Sequence, residues 1–351
     1  MATSCSISCG ASTRRGWSSV LAHSLLSHLA RRSPCFATCS QLSDAFRVNA
    51  RVLVAGALLV GAGIAGVLGT RAADGESALY APISRAPRRT NADATPPKIP
   101  FDSSTPRVFF RVASSLPHDT AAFTEGLLIH DGRLLESTGL EGHSDVRDID
   151  RRTGAVLQRA TLNRSLFGEG IATIGARLYQ LTWQNGRGYI YDAATLSPLD
   201  SFAFSGEGWG MTSDGTTLYM SDGSSTLKVL AREDFRVERT FEVTEAGQPV
   251  WMLNELEWVR GELWANVYQT DFIARINPSS GAVIGWIDLS TLLTPEQRSV
   301  AGARGGVANG IAYDAASDEI LVTGKMWPRV FVAGRQSLVS KLAVQRATVS
   351  R

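Results

Sequence analysis

The residues best suited to chemistry in this 351-residue chain recur at matched positions. Five short strings, Glu125-Gly-Leu, Glu169-Gly-Ile, Trp209-Gly-Met, Asn254-Glu-Leu and Asn309-Gly-Ile, each lead into a strand-like string. The strand-like strings begin at Arg133, Arg177, Thr217, Glu262 and Glu319, at intervals of 44, 40, 45 and 57 residues. In the first four repeats the apolar residue of the leading string stands seven positions before the first apolar residue of the strand, and in the fifth nine. The leading positions supply two carboxylates, an indole and two amides. Where the strands end, the matched positions are Gly139, Trp183, Gly223, Tyr268 and Lys325. A carboxyl group can take up a proton and return it, while amide and ammonium groups can stabilise developing negative charge. Repeats that served packing alone would carry similar small residues at equivalent positions, and these differ in chemistry.

The elements that must position these residues are short strands. FFRVAS, RLYQLTW, GYIYD, TLKVL, FIARI, EILVTG and VFVAG are strand-like, and DG, NG, SDG and PSSG turns separate such runs. Only Leu292–Val300 competes as a helix. Five repeats of roughly 40–50 residues, each with about four strands, predict an all-β, five-bladed β-propeller over residues 108–351. A blade cannot bury both faces alone, and closing five into a ring buries them. A solenoid of five units would need capping repeats, and none is evident. In a propeller the innermost strands line the central channel, so Glu125, Glu169, Trp209, Asn254 and Asn309 should gather at one mouth. Trp251, Trp258, Trp264, Trp286 and Trp327 read as packing between blades.

Charge and cysteine usage divide the chain. Residues 1–107 hold 12 Lys/Arg against 5 Asp/Glu, whereas residues 108–351 hold 23 against 28. The mildly acidic body gives no electrostatic reason to bind nucleic acid. Cys5, Cys9, Cys35 and Cys39 all precede it, so the body has no thiol for catalysis or metal binding. Residues 1–51 read as a basic leader with six Arg and one Asp, and residues 52–69 form an uncharged apolar run of eighteen residues. That run predicts a signal-anchor or a cleaved signal peptide, with the body delivered to the periplasm or another extracytoplasmic space. An organellar transit peptide is a weaker fit. Residues 70–107 are proline-rich with little apolar periodicity and read as a flexible linker.

The strings FTEGL (123–127), ESTGL (136–140), FGEG (167–170), LTW (181–183), GWG (208–210), LYMSDG (218–223), LNELEW (253–258), WANVYQTD (264–271), NGIAYD (309–314) and VTGKMWP (322–328) run through nearly all of residues 108–332. In order and spacing this body resembles the plant- and bacterial-type glutaminyl-peptide cyclotransferases. The resemblance implies a five-bladed propeller that acts on peptides or proteins with N-terminal Gln. The free α-amino group attacks the side-chain amide carbon, a lactam closes and ammonia leaves. It further implies that Glu169 is the acid/base, and that Phe123, Phe167, Trp183, Trp209, Asn254 and Lys325 belong to the pocket. Two positions depart from the plant pattern, which has Gln at the place of Glu125 and Trp at the place of Tyr268. The first adds a second carboxylate, so the division of protons between Glu125 and Glu169 is open.

That reaction needs a group that removes a proton from the amine and gives one to the leaving nitrogen, and a carboxyl between the two nitrogens can do both. Glu169 is the candidate. Asn254 and Lys325 are candidates to stabilise the oxyanion, followed by Asn309. Phe123, Phe167, Trp183, Trp209 and Tyr268 would exclude water, and burial would raise the Glu169 pKa. No cofactor is expected. The body's histidines, His118, His130 and His143, show no HxH or HExxH spacing, so no metal site is expected. A metal-dependent lactone or ester hydrolase, using the Glu125/Glu169/Asn254/Asn309 ring, and a non-catalytic binding propeller are the rival readings.

Overall fold

The computed structural model describes residues 97–334 and 338–340. The leader, the apolar run 52–69 and most of the expected linker lie outside the described residues. Twenty-four strands and one helix are present among those described. Strands β1 (Arg107–Phe110) and β2 (Ser114–Pro117) precede the repeats. The first blade is β3 (Thr124–His130), β4 (Arg133–Thr138), β5 (Asp145–Ile149) and β6 (Val156–Thr161). The second is β7 (Gly168–Ile174), β8 (Arg177–Thr182), β9 (Arg187–Asp192) and β10 (Pro198–Ala203). The third is β11 (Met211–Ser213), β12 (Leu218–Met220), β13 (Thr226–Leu230) and β14 (Val237–Glu242). A hairpin of β15 (Thr244–Glu245) and β16 (Gln248–Pro249) leads to the fourth blade. That blade is β17 (Leu253–Val259), β18 (Glu262–Val267), β19 (Phe272–Ile276) and β20 (Val283–Asp288). Helix α1 (Pro295–Gly302) follows, capped by Thr294 and Gln297 in a reciprocal capping box. The fifth blade has β21 (Ala308–Asp314), β22 (Glu319–Gly324) and β23 (Arg329–Gly334).

The chain is thus a five-bladed β-propeller, as the repeat predicts. Each blade is an antiparallel meander, and turn chemistry sets its register. Asp131 and Gly132, both at positive φ, form the two-residue turn that pairs His130 with Arg133. Outer strands face water, as in β14, whereas inner strands are almost wholly buried. Five apolar clusters fill the five seams between blades. Leu128 and Leu135 meet Ile171 and Leu178 at the seam of blades one and two. Leu127 and Leu134 meet Ala312 and Leu321 where blade five returns to blade one.

Closure comes from the N-terminal side. β2 pairs antiparallel with β23 and supplies the fourth strand of blade five. β1 adds to blade four, parallel to β20, and β24 (Leu338–Ser340) pairs outside it. Residues 99–107, expected as the end of a flexible linker, instead lie against blade four. Phe101 packs edge-on to Phe272 and Trp286, and Arg107 sits over the Phe272 ring and bonds Asp288. Edge-on ring contacts and the Arg107 ion pair hold this segment despite the local disorder signature of the prolines.

Candidate active site

The leading strings begin the inner strands, and an irregularity in the pairing aims their side chains. Register shifts fall at Thr124/Gly126, Gly168/Ile171, Leu253/Leu256 and Ala308/Ile311, the same place in four blades. A bulge at that place re-aims the residue it contains, here Glu125, Glu169, Asn254 and Asn309. In blade three, the backbone N–H of Gly170 donates to the Trp209 carbonyl, which holds Trp209 beside the Glu169 segment. The glycines following Glu125, Glu169 and Trp209 lie against the next blade. A Cβ at Gly126 would meet Ile171 N at 2.8 Å, one at Gly170 Met211 N at 2.4 Å, and one at Gly210 the Asn254 carbonyl oxygen at 2.1 Å. Backbone contact this close permits no side chain.

Glu125, Glu169, Asn254, Asn309 and Lys325 are all buried, and most of them are in contact. The Lys325 ammonium forms an ion pair with Glu125, and the Asn309 amide donates to Glu125 Oε2 at 3.3 Å. The Glu169 carboxyl lies within hydrogen-bonding reach of the Glu125 carboxyl. Burial holds Glu169 well above the usual carboxylate range, and the charge of Glu125 raises it further against the opposing effect of Lys325. Burial also raises Glu125, but Lys325 and the hydrogen bond from Glu169 favour its charged form. Both carboxyls are therefore held above the usual carboxylate range, Glu169 the further of the two, and Glu125 has the Lys325 ammonium as its partner. Asn254 Oδ1 and Asn309 Oδ1 are buried without a partner among the described residues.

The aromatic side chains form a closed rim around this polar centre. Phe123 meets Phe167 at 6.0 Å, Phe167 meets Trp183 at 5.7 Å, and Trp209 meets Tyr268 at 5.7 Å. Lys325 Nζ closes one gap, 4.5 Å from the Phe123 centroid and 5.5 Å from that of Tyr268. Glu207 closes the other, accepting the indole N–H of both Trp183 at 2.9 Å and Trp209 at 3.0 Å. The two glycines at strand-end positions make room for this rim. A Cβ at Gly139 would enter the Phe167 ring, and one at Gly223 the Trp209 ring. Leu140, Gln269 and Met326 follow Gly139, Tyr268 and Lys325 and all adopt positive φ, a sharp turn that aims the preceding residue inward.

Glu207 is the residue missed by sequence reasoning. Its signal was available, since Gly206-Glu207-Gly208 places an acidic residue between two glycines at a blade junction. A second omission is Glu255, which crosses the channel to accept N–H bonds from Leu127 and Ile311. Below it Glu257 accepts from Tyr313 N–H and the Thr212 hydroxyl. Both read as ordinary members of an LNELEW strand. Of the other tryptophans, Trp264, Trp286 and Trp327 are buried and Trp258 stacks on Tyr219 across a seam. Trp251 departs from the packing reading, being 54% exposed. Among the described residues no group of three or more His, Cys, Asp or Glu side chains is placed to hold a metal ion. His118 is used structurally, bonding Glu136 and the Trp327 carbonyl.

Comparison with known proteins agrees with this geometry. The profile of the glutamine cyclotransferase family matches residues 83–333. A glutaminyl-peptide cyclotransferase of Arabidopsis thaliana is 43% identical over 223 residues, covering 63% of this chain and 69% of that protein. The crystal structure of Myxococcus xanthus glutaminyl cyclase superposes with a TM-score of 0.62 at 34% identity, covering 68% of this chain and 99% of that one. The chain belongs to the glutamine cyclotransferase family.

Proposed function

We propose that this member of the glutamine cyclotransferase family converts N-terminal glutaminyl residues of peptides or proteins to pyroglutamate with release of ammonia. The observation that carries the reading is a pair of buried carboxyls, Glu125 and Glu169, with Lys325 paired to Glu125, inside a closed aromatic rim. The substrate's α-nitrogen attacks its side-chain amide carbon and a tetrahedral oxyanion forms. Glu169 gives its proton to the amide nitrogen as the carbon–nitrogen bond breaks, and ammonia leaves. The new ring nitrogen returns its extra proton to Glu169, so the enzyme ends as it began. Lys325 and Asn254 stabilise the oxyanion, with Asn309 holding Glu125 in place. The rim of Phe123, Phe167, Trp183, Trp209 and Tyr268 displaces water, which strengthens each of these charges. Glu125 pairs with Lys325, and its charge favours the proton on Glu169.

The test is ammonia release and pyroglutamate formation from a Gln-initiated peptide, with and without EDTA. Wild-type turnover that survives EDTA and falls at least 10²-fold in Glu169→Gln supports the assignment. A folded wild type without turnover sends the reading to a binding propeller, and EDTA-sensitive turnover to a metal-dependent one. We also propose that the apolar run 52–69, after a basic leader, delivers the propeller across a membrane, anchored or cleaved. Fractionation followed by protease protection tests this, and recovery of the domain with cytosolic markers would overturn it.

A further inference from the structure

Glu207 occupies a place in the rim that its exposure alone would not suggest. One of its oxygens accepts both indole N–H groups, and the other accepts the Gln184 amide at 2.9 Å. Trp183 and Trp209 belong to different blades, and Glu207 is the group that spans them. Its own loop is fixed on both sides. Gly206 sits at φ +88, and Gly208 N–H donates to the Trp183 carbonyl at 2.9 Å. Around the rim the order is Lys325, Phe123, Phe167, Trp183, Glu207, Trp209, Tyr268, so a cation and an anion occupy opposite sides of one aromatic pocket.

A substrate with a free N-terminus and a side-chain amide has a matching polarity. Its α-amino group carries N–H donors, and its amide oxygen gains negative charge as the reaction proceeds. Lys325 suits the oxygen. Oε1 of Glu207 accepts only the Gln184 bond among the described residues, which leaves it a lone pair for another donor. We propose that Glu207 is a positioning and specificity residue, which clasps the Trp183 and Trp209 walls and accepts an N–H of the substrate's α-amino group. That bond turns the nitrogen lone pair toward the amide carbon. Gains from such orientation are large, because the reacting atoms start near bonding distance. The inference rests on the cyclase reading, yet its structural half can be measured without turnover.

The experiment compares the wild-type chain with Glu207→Gln and Glu207→Ala. Near-ultraviolet circular dichroism without substrate reports the fixed tryptophans, thermal melting checks folding, and steady-state kinetics use a Gln-initiated dipeptide. Gln keeps an acceptor for the indoles but removes the charge. Glu207→Gln is expected to keep the wild-type dichroism and raise KM about tenfold, the cost of one charge-assisted hydrogen bond. Glu207→Ala is expected to lose tryptophan dichroism and raise KM further, with a cooperative melt retained. Wild-type dichroism in Glu207→Ala would overturn the clasp, and wild-type KM in Glu207→Gln would overturn the amine contact. A wild type that does not turn over defeats the cyclase reading, while the dichroism still decides the clasp.

Discussion

The division of labour between Glu125 and Glu169 follows from their surroundings. Each is buried, yet only Glu125 has an ammonium partner, so burial raises Glu169 the further of the two. Removing the Glu125 charge in Glu125→Gln removes a group that holds the Glu169 carboxyl high, and it frees Lys325 to act on Glu169 alone. Both changes lower the Glu169 pKa. Activity that needs protonated Glu169 is lost as pH rises through that value, so the alkaline limb of kcat/KM should move to lower pH. Initial rates across a pH series check this, and an unmoved limb would show that the two carboxyls do not interact. A second buried pair has a structural role. His118 donates to Glu136, which also accepts from Thr124, next to Glu125. Burial opposes the charge on each, yet His118 lowers the Glu136 pKa and Glu136 raises that of His118. The stabilisation is therefore complete between the ordinary values of 4.5 and 6.5. It is lost as pH rises through the raised His118 value or falls through the lowered Glu136 value. Glu136→Gln should cost about 3 kcal/mol in urea denaturation near pH 6, since it leaves half of a buried pair.

At the scale of the element, the functional feature is a bulged inner strand repeated around the ring. The bulge turns one polar side chain into the mouth in four of the blades, and the glycines after Glu125, Glu169 and Trp209 let neighbouring inner strands touch. The repeat was legible as five strings such as Glu125-Gly-Leu and Asn309-Gly-Ile at matched spacing, because spacing and residue type survive in one dimension. The bulge itself was not, since a pairing shift depends on two strands. Gly170→Ala tests the contact. Its Cβ would lie 2.4 Å from Met211 N and 2.7 Å from the Gly210 carbonyl carbon, both backbone atoms. Overpacking of this kind costs about 1–3 kcal/mol. A lower Tm together with reduced turnover is expected, since Glu169 immediately precedes the strained position.

Ring closure and the channel belong to the whole molecule. Leu116 in β2 is 6% exposed and joins the seam between blades five and one. Leu116→Ala should cost about 2–5 kcal/mol and keep a single transition by both fluorescence and far-ultraviolet circular dichroism. Two transitions would mean that the closing strand detaches by itself. The channel also stores two carboxyls away from the site. Burial raises Glu255 well above its ordinary value and Glu257 to about 8. Between 4.5 and about 8 the unfolded chain has released the Glu257 proton and the folded chain has kept it. Stability therefore falls as pH rises through this window. Glu257→Gln should flatten that fall, with Tm recovering on the order of 2–4 °C for each kcal/mol regained.

The sequence by itself determined the number of blades, the face on which the polar residues gather and the family, because each is written in spacing and residue type. It supplied Glu169, Asn254, Lys325 and the five aromatic residues of the rim without any coordinates. Tertiary structure decided what depends on distance between blades. It paired Lys325 with Glu125 beside Glu169, showed Glu207 joining two indoles, and docked Phe101 where composition suggested a linker. The physical reason is that ion pairing, clasping and docking are pairwise energies that fall off within a few ångströms. Residues 169 and 325 lie far apart in the chain, and only ring closure brings their segments within that range.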